Sequence, residues 1–159
     1  MKLHLADAAA TEALARKLLA VLPANTAGWT LLLEGELGAG KSTFARALIT
    51  AMGHMGAVPS PTYTLVEPYQ FADRRVYHID LYRISSEEEL RYLGWGELED
   101  GFRLVEWPDR APGLAGAADL SLSLSYDESG RDAEFRGLTG RGQAVEEKLA
   151  STKPSHPKH

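Results

Sequence analysis

Trp29-Thr30-Leu31-Leu32-Leu33-Glu34-Gly35-Glu36-Leu37-Gly38-Ala39-Gly40-Lys41-Ser42-Thr43-Phe44 decides the fold. Its first part is a compact apolar run, which reads as a buried strand. Its middle is rich in glycine. From Lys41 the pattern turns helical, with Phe44, Leu48 and Met52 four apart. The stretch from Gly35 to Ser42 fits G-x-x-x-x-G-K-[ST], which carries meaning only between a buried strand and a helix. Both flanks are present. Glycines let backbone N–H groups turn inward around a β-phosphate, and the helix N-terminus adds positive potential. Lys41 has the reach for β- and γ-phosphates, and the Ser42 hydroxyl suits magnesium. Gly35, Glu36, Leu37, Gly38, Ala39, Gly40, Lys41 and Ser42, with Thr43 behind them, therefore form the expected nucleotide-binding segment.

Working outward, Lys2 to Leu5 reads as a short strand. Asp7 is a good N-cap for a helix over Ala8 to Leu22, in which Leu14, Leu18 and Leu22 recur. Val58-Pro59-Ser60-Pro61-Thr62 must be extended, because proline pushes its predecessor out of the helical region. Leu65 to Phe71 and Arg75 to Leu81 read as strands around a turn at Ala72-Asp73-Arg74. So short a turn implies an antiparallel pair, and hence a mixed sheet. Ser86-Glu87-Glu88-Glu89 has capping-box spacing and predicts a short helix to about Leu93. Phe102 to Trp107 is a strand stopped by Pro108. Asp119 to Tyr126 alternates Leu and Ser like a half-exposed strand, with Arg131 to Leu138 as its hairpin partner. Gly142 to Ala150 predicts a last helix. The expected fold is α/β: a P-loop NTPase-like, three-layer arrangement with a mixed central sheet flanked by helices. One domain over residues 1–150 is expected, with a polar, disordered tail over 151–159.

The chain has 159 residues and is 44% hydrophobic and 25% charged, as soluble globular proteins are. No apolar stretch approaches the roughly 20 residues of a bilayer span. An acid at Asp7 comes too early for a secretory leader. The absence of cysteine excludes disulfides, thiol catalysis and cysteine-based zinc sites. These features fit a cytoplasmic address. The formal net charge of −5 argues against nucleic-acid binding by this chain alone, since phosphate contacts supply most of such affinity.

Magnesium and the γ-phosphate need further oxygen ligands. Asp80 closes Val76-Tyr77-His78-Ile79-Asp80, and Glu106 closes Phe102-Arg103-Leu104-Val105-Glu106. In an open α/β sheet, ligands collect outside the carboxyl ends of the strands. Acids there can hold magnesium or orient an attacking water, although a strand-end acid taken singly is more often a solvated turn residue. Thr62, in the stiff Ser60-Pro61-Thr62-Tyr63 segment, is placed to offer a hydroxyl to magnesium or the γ-phosphate, or serves only the loop. Trp107 is either core or a platform beside Glu106 for nucleotide or partner. For His78, core hydrogen bonding is the expected job.

The order GELGAGKST, VPSPTY, HIDLYR and LVEWP resembles the TsaE (YjeE) family over Asp7 to about Leu149. That family comprises bacterial P-loop ATPases needed to make N6-threonylcarbamoyladenosine (t6A) in tRNA, working with the TsaB–TsaD complex. The resemblance implies ATP and Mg2+ as ligands, and contact with tRNA only through that complex. It assigns Gly38, Gly40 and Lys41 to the phosphates and Ser42 to phosphate and magnesium. Glu106 matches the family's magnesium-site acid, Asp80 its Walker-B-like aspartate and Thr62 its switch threonine. Thr11 and Arg131 match residues near the nucleotide; without the resemblance they read as a helix-surface and a hairpin residue. Ser42 stands where the family more often has threonine.

The leading expectation is thus an ATPase, weak alone and partner-dependent, with Lys41, Asp80 and Glu106 as its catalytic groups. One alternative is a small-molecule kinase, although Arg83, Arg91 and Arg103 are scattered with no obvious lid. Another is an ATP-controlled binding module with negligible hydrolysis. A GTPase is disfavoured, because Asn25 is the only asparagine and Arg83 stands where a switch glycine would follow Asp80.

Overall fold

A strand that is apolar on both faces has to be covered on both faces. Leu31-Leu32-Leu33 meets that demand at the centre of the molecule. The computed structural model describes residues 1–61 and 64–152. Thr62, Tyr63 and 153–159, and with them the expected switch threonine and most of the expected tail, lie outside the described residues. In chain order the elements are β1 (Lys2–Leu5), α1 (Ala8–Val21), β2 (Thr30–Gly35), α2 (Lys41–Ala51), β3 (Val66–Gln70), β4 (Arg75–Asp80), α3 (Glu89–Tyr92), β5 (Phe102–Glu106), β6 (Leu120–Asp127), β7 (Gly130–Gly137) and α4 (Gly140–Ser151). Short 3-10 turns at Trp95–Asp100, Pro108–Arg110 and Pro112–Gly116 complete the connections.

The strands form one seven-stranded sheet in the order β1-β7-β6-β2-β5-β4-β3. Its middle, β6-β2-β5-β4, is parallel. Both margins are antiparallel, β3 on β4 and β7 between β6 and β1. The sheet is therefore mixed, as the short turn after β3 required. Side chains alternate across it. Leu31 and Leu33 face a layer of α1, α2 and α4 with Leu14, Leu18, Phe44, Leu48, Val145 and Leu149. Leu32 joins Ile79 and Val105 on the other face, against Leu90, Leu98 and Leu114 from α3 and the 3-10 turns. This second layer is thin and consists of short helical pieces.

The helix ends differ in a way that matters for the site. Asp7 caps α1 by accepting from the Ala10 backbone N–H at 2.8 Å, and Thr139 caps α4 by accepting from Gly142 N at 3.1 Å. Such caps contribute about 1 kcal/mol each. At α2 the capping position is Gly40, left-handed at φ 114°, and no side chain among the described residues caps this end. Its first N–H groups are thus left to another partner. The expected capping box at Ser86 is not formed. α3 begins only at Glu89, because Glu89 N and Leu90 N close tight turns onto Ser86 O and Glu87 O, each at 3.1 Å. The Glu89 carboxylate instead accepts from Ser85 Oγ at 2.6 Å and Ser85 N at 3.2 Å.

Candidate functional site: a phosphate loop with strand-end acids

Register gathers the acids before any side chain is considered. In the parallel middle of the sheet Asp80 lies opposite Glu106, and Glu106 opposite Leu33, just ahead of the loop. Both acids therefore stand at the carboxyl edge from which the loop springs, as expected for an open α/β sheet.

The loop needs its glycines. Gly35 has φ 144° and Gly38 φ 81°. A Cβ on Gly35 would lie 2.4 Å from Leu124 O, and one on Gly38 would lie 2.3 Å from the Tyr126 hydroxyl oxygen. The β6–β7 hairpin is that close because it ties down loop carbonyls. Tyr126 Oη donates to Leu37 O at 3.0 Å, and Arg131 Nη2 donates to Gly38 O at 3.3 Å. The Arg131 guanidinium also stacks 4.3 Å from the Tyr126 ring centre.

Lys41 is 4% exposed. Its Nζ donates to Gly35 O and, at 3.0 Å, to Glu36 O. The Trp107 ring centre lies 4.0 Å from the same ammonium. Burial pulls the Lys41 pKa below its ordinary value, and the charges of Glu106, Asp80 and Asp109 only partly oppose this. A desolvated cation held by neutral carbonyls and a ring has unused capacity for an anion. Trp107 is thus placed on the site. Its backbone is left-handed at φ 58°, an uncommon conformation for a bulky residue, and its ring meets Tyr82 at 4.9 Å.

Ser42 Oγ donates to Glu106 Oε1 at 2.9 Å, and the other oxygen, Oε2, is bonded by His78 Nε2 at 2.6 Å. His78 and Glu106 are both buried. Asp80 is also buried, and its Oδ1 accepts from Tyr82 N at 2.8 Å. Lys41, Ser42, Asp80, Glu106 and Trp107 line one cavity of about 230 Å3, together with Ser60. A hydroxyl beside two carboxylates is a set of hard oxygen donors, which suits Mg2+. A neighbouring hollow of about 160 Å3 brings Thr11 and Arg131 together with Gly38, Gly40 and Thr43. Thr11 is buried there, and does not lie on the open helix surface that its sequence neighbours suggested. A larger hollow of about 530 Å3 lies on β1, β6 and β7, and none of Gly35 to Thr43 borders it.

The core hydrogen bonding expected of His78 is found, although its partner was not foreseen, and Tyr126 was missed altogether. The job of His78 depends on the β4–β5 register, although its spacing from Asp80 already put both on one face. Tyr126 gave no signal; its bond to Leu37 O spans 89 residues.

Strand, glycine loop and uncapped helix at the carboxyl edge of a parallel sheet core define a P-loop NTPase-like α/β protein. The family model described as "Threonylcarbamoyl adenosine biosynthesis protein TsaE" matches residues 5–133. Relatives carrying the name tRNA threonylcarbamoyladenosine biosynthesis protein TsaE agree. That of Haemophilus influenzae is 39% identical over 115 residues, covering 71% of this chain and 73% of its own. That of Synechocystis is 38% identical over 120 residues, covering 72% and 74%. The crystal structure of Bacillus subtilis YdiB superposes with a TM-score of 0.73 at 26% identity, covering 94% of this chain and 93% of that one. The chain belongs to the TsaE family.

Proposed function

We propose that this chain is a magnesium-dependent ATPase of tRNA t6A biosynthesis, which acts with the TsaB–TsaD complex and resets it by hydrolysing ATP. Its family supports the pathway. The observation that carries the chemistry is the 2.9 Å bond between Ser42 Oγ and Glu106 Oε1 beside the buried Lys41. It joins a loop hydroxyl to a strand-end acid at a cavity that Asp80 also lines.

ATP phosphates would sit at the uncapped start of α2, where backbone N–H groups and Lys41 Nζ supply positive charge. Ser42, Glu106 and Asp80 would hold the metal, with Thr62 as a further hydroxyl donor. Magnesium held there would supply positive charge to the phosphates. The reaction is in-line attack of water on the γ-phosphate, with Lys41 stabilising the charge that develops and Asp80 or Glu106 orienting the water. Thr11 and Arg131 border the adjoining hollow, from which they would approach the nucleotide. Trp107 borders the same cavity as Ser42, Glu106 and Asp80. The acidic charge of −5 agrees with tRNA being reached through the partners. Among the described residues no helix is long and apolar enough to cross a membrane, and we place the protein in the cytoplasm.

Phosphate release tests this reading. Turnover by the chain alone is expected to be slow and to rise when TsaB and TsaD are added. Glu106→Ala is expected to abolish it. Normal hydrolysis by Glu106→Ala with both partners present would overturn the site assignment.

A further inference from the structure

Glu106 reaches Ser42 with one oxygen only because something holds the other. His78, on the neighbouring strand, donates from Nε2 to Glu106 Oε2 at 2.6 Å, and both residues are almost fully buried. His78 Nδ1 is buried with no hydrogen-bond partner among the described residues. The carboxylate oxygen can only accept, so Nε2 is the donor in this contact. The polar contact that His78 makes is thus spent on Glu106. A histidine needed only to fill space gains nothing from such a bond. An apolar residue would fill the same place without leaving Nδ1 orphaned.

We propose that His78 is a positioning residue for the metal side of the nucleotide site. It locks the Glu106 carboxylate so that Oε1 alone faces Ser42 and the cavity. The inference rests on the ATPase reading above, and it adds a residue that touches neither nucleotide nor metal. Loss of a group that orients a metal-binding carboxylate typically weakens the metal site about 10- to 100-fold. The expected signature is therefore selective. Binding of ADP in EDTA should be unchanged, while the gain in affinity on adding Mg2+ should shrink.

His78→Gln and His78→Asn make the decisive pair. Both are polar and neutral, but only the glutamine amide reaches the place of Nε2; the asparagine amide stops near Nδ1. Fluorescent ADP would be titrated with EDTA and with Mg2+, and melting temperatures recorded for each variant. The expected result is that His78→Asn loses about tenfold or more of the Mg2+-dependent affinity and His78→Gln recovers much of it, with equal ADP binding in EDTA. Equal losses with and without Mg2+ would mean a structural role and overturn the proposal. So would a His78→Asn variant with the full Mg2+ effect. Wild-type protein that gains nothing from Mg2+ would instead remove the ATPase reading itself, and this inference with it.

Discussion

Two buried carboxylates stand at opposite edges of the sheet, and they are built for different ends. Asp119, just before β6 at the amino edge, accepts from Arg141 Nε at 2.8 Å and Nη2 at 3.0 Å. It also accepts from Thr139 Oγ1 at 2.8 Å and Thr30 N at 3.2 Å. Arg141 is itself stacked 4.5 Å from the Trp29 ring centre. Glu106, at the carboxyl edge, accepts from Ser42 and His78 and borders a cavity. An ionised carboxylate has about four lone-pair sites. Asp119 has filled them with protein, and so it stitches α4 to the sheet. Glu106 has kept capacity at a place where a ligand can enter. Burial alone does not separate the two; where the remaining hydrogen-bonding capacity points does.

The comparison breaks most visibly at the loop. Lys41→Ala should lower ATP turnover with TsaB and TsaD at least about 100-fold, the scale of losing a preorganised donor to a developing charge. Its melting temperature should change little, because the buried ammonium is already held below its ordinary pKa by desolvation. Steady-state phosphate release alongside a thermal melt checks both halves. Turnover within about tenfold of wild type would mean that the carboxyl edge is no more functional than the amino edge.

Asp119→Asn is the converse experiment. It should cost about 2–3 kcal/mol of stability by unpairing groups that converge on a buried acceptor, yet leave nucleotide binding by the folded protein intact. The pH dependence has a definite sign. Burial pushes the Asp119 carboxyl up, but hydrogen bonds from Arg141, Thr139 and Thr30 outweigh it and hold the pKa below its ordinary value. A depressed folded pKa contributes stability that is present above the unfolded value of about 4 and is lost as pH falls through the folded one. Melting temperatures from about pH 6 down to about pH 3 should therefore fall more steeply for wild type than for Asp119→Asn. Parallel curves would show that Asp119 is not the acid-sensitive stitch.

What the chain discloses about itself follows the same division. The strand, loop and start of α2 were legible because each residue type there meets a local demand: apolar faces for burial, glycine for positive φ, lysine for reach. The acids were legible as strand ends, since β4 and β5 each finish on a carboxylate. Neither the His78–Glu106 pairing nor the Tyr126 and Arg131 ties to the loop could be read, because they depend on which strands become neighbours. Arg131 lies opposite both Leu5 on β1 and Tyr126 on β6, a register that the sequence does not show. The Asp119 stitch was hidden for the same reason: Asp119 read as the start of a strand, and Arg141 lay outside the expected helix, which began at Gly142.

The smallest expected effect sharpens the comparison at the hairpin. Tyr126→Phe deletes only the hydroxyl that donates to Leu37 O. The ring stays, and so does its stacking with Arg131. Tyr126 is half exposed and water can replace the lost donor, so the cost should be about 1 kcal/mol or less, a few-fold in ADP affinity by calorimetry. Overall stability should not move, because the hydroxyl serves the shape of the loop and not the core. Gly38→Ala at the same contact should be far worse, since its Cβ would collide with that hydroxyl in a left-handed backbone. Combining the two separates the causes: Tyr126→Phe removes the colliding oxygen and leaves the φ strain in place. Partial recovery of ADP binding in the double variant would show that the hairpin shapes the loop by contact. No recovery would assign the whole requirement at Gly38 to its backbone.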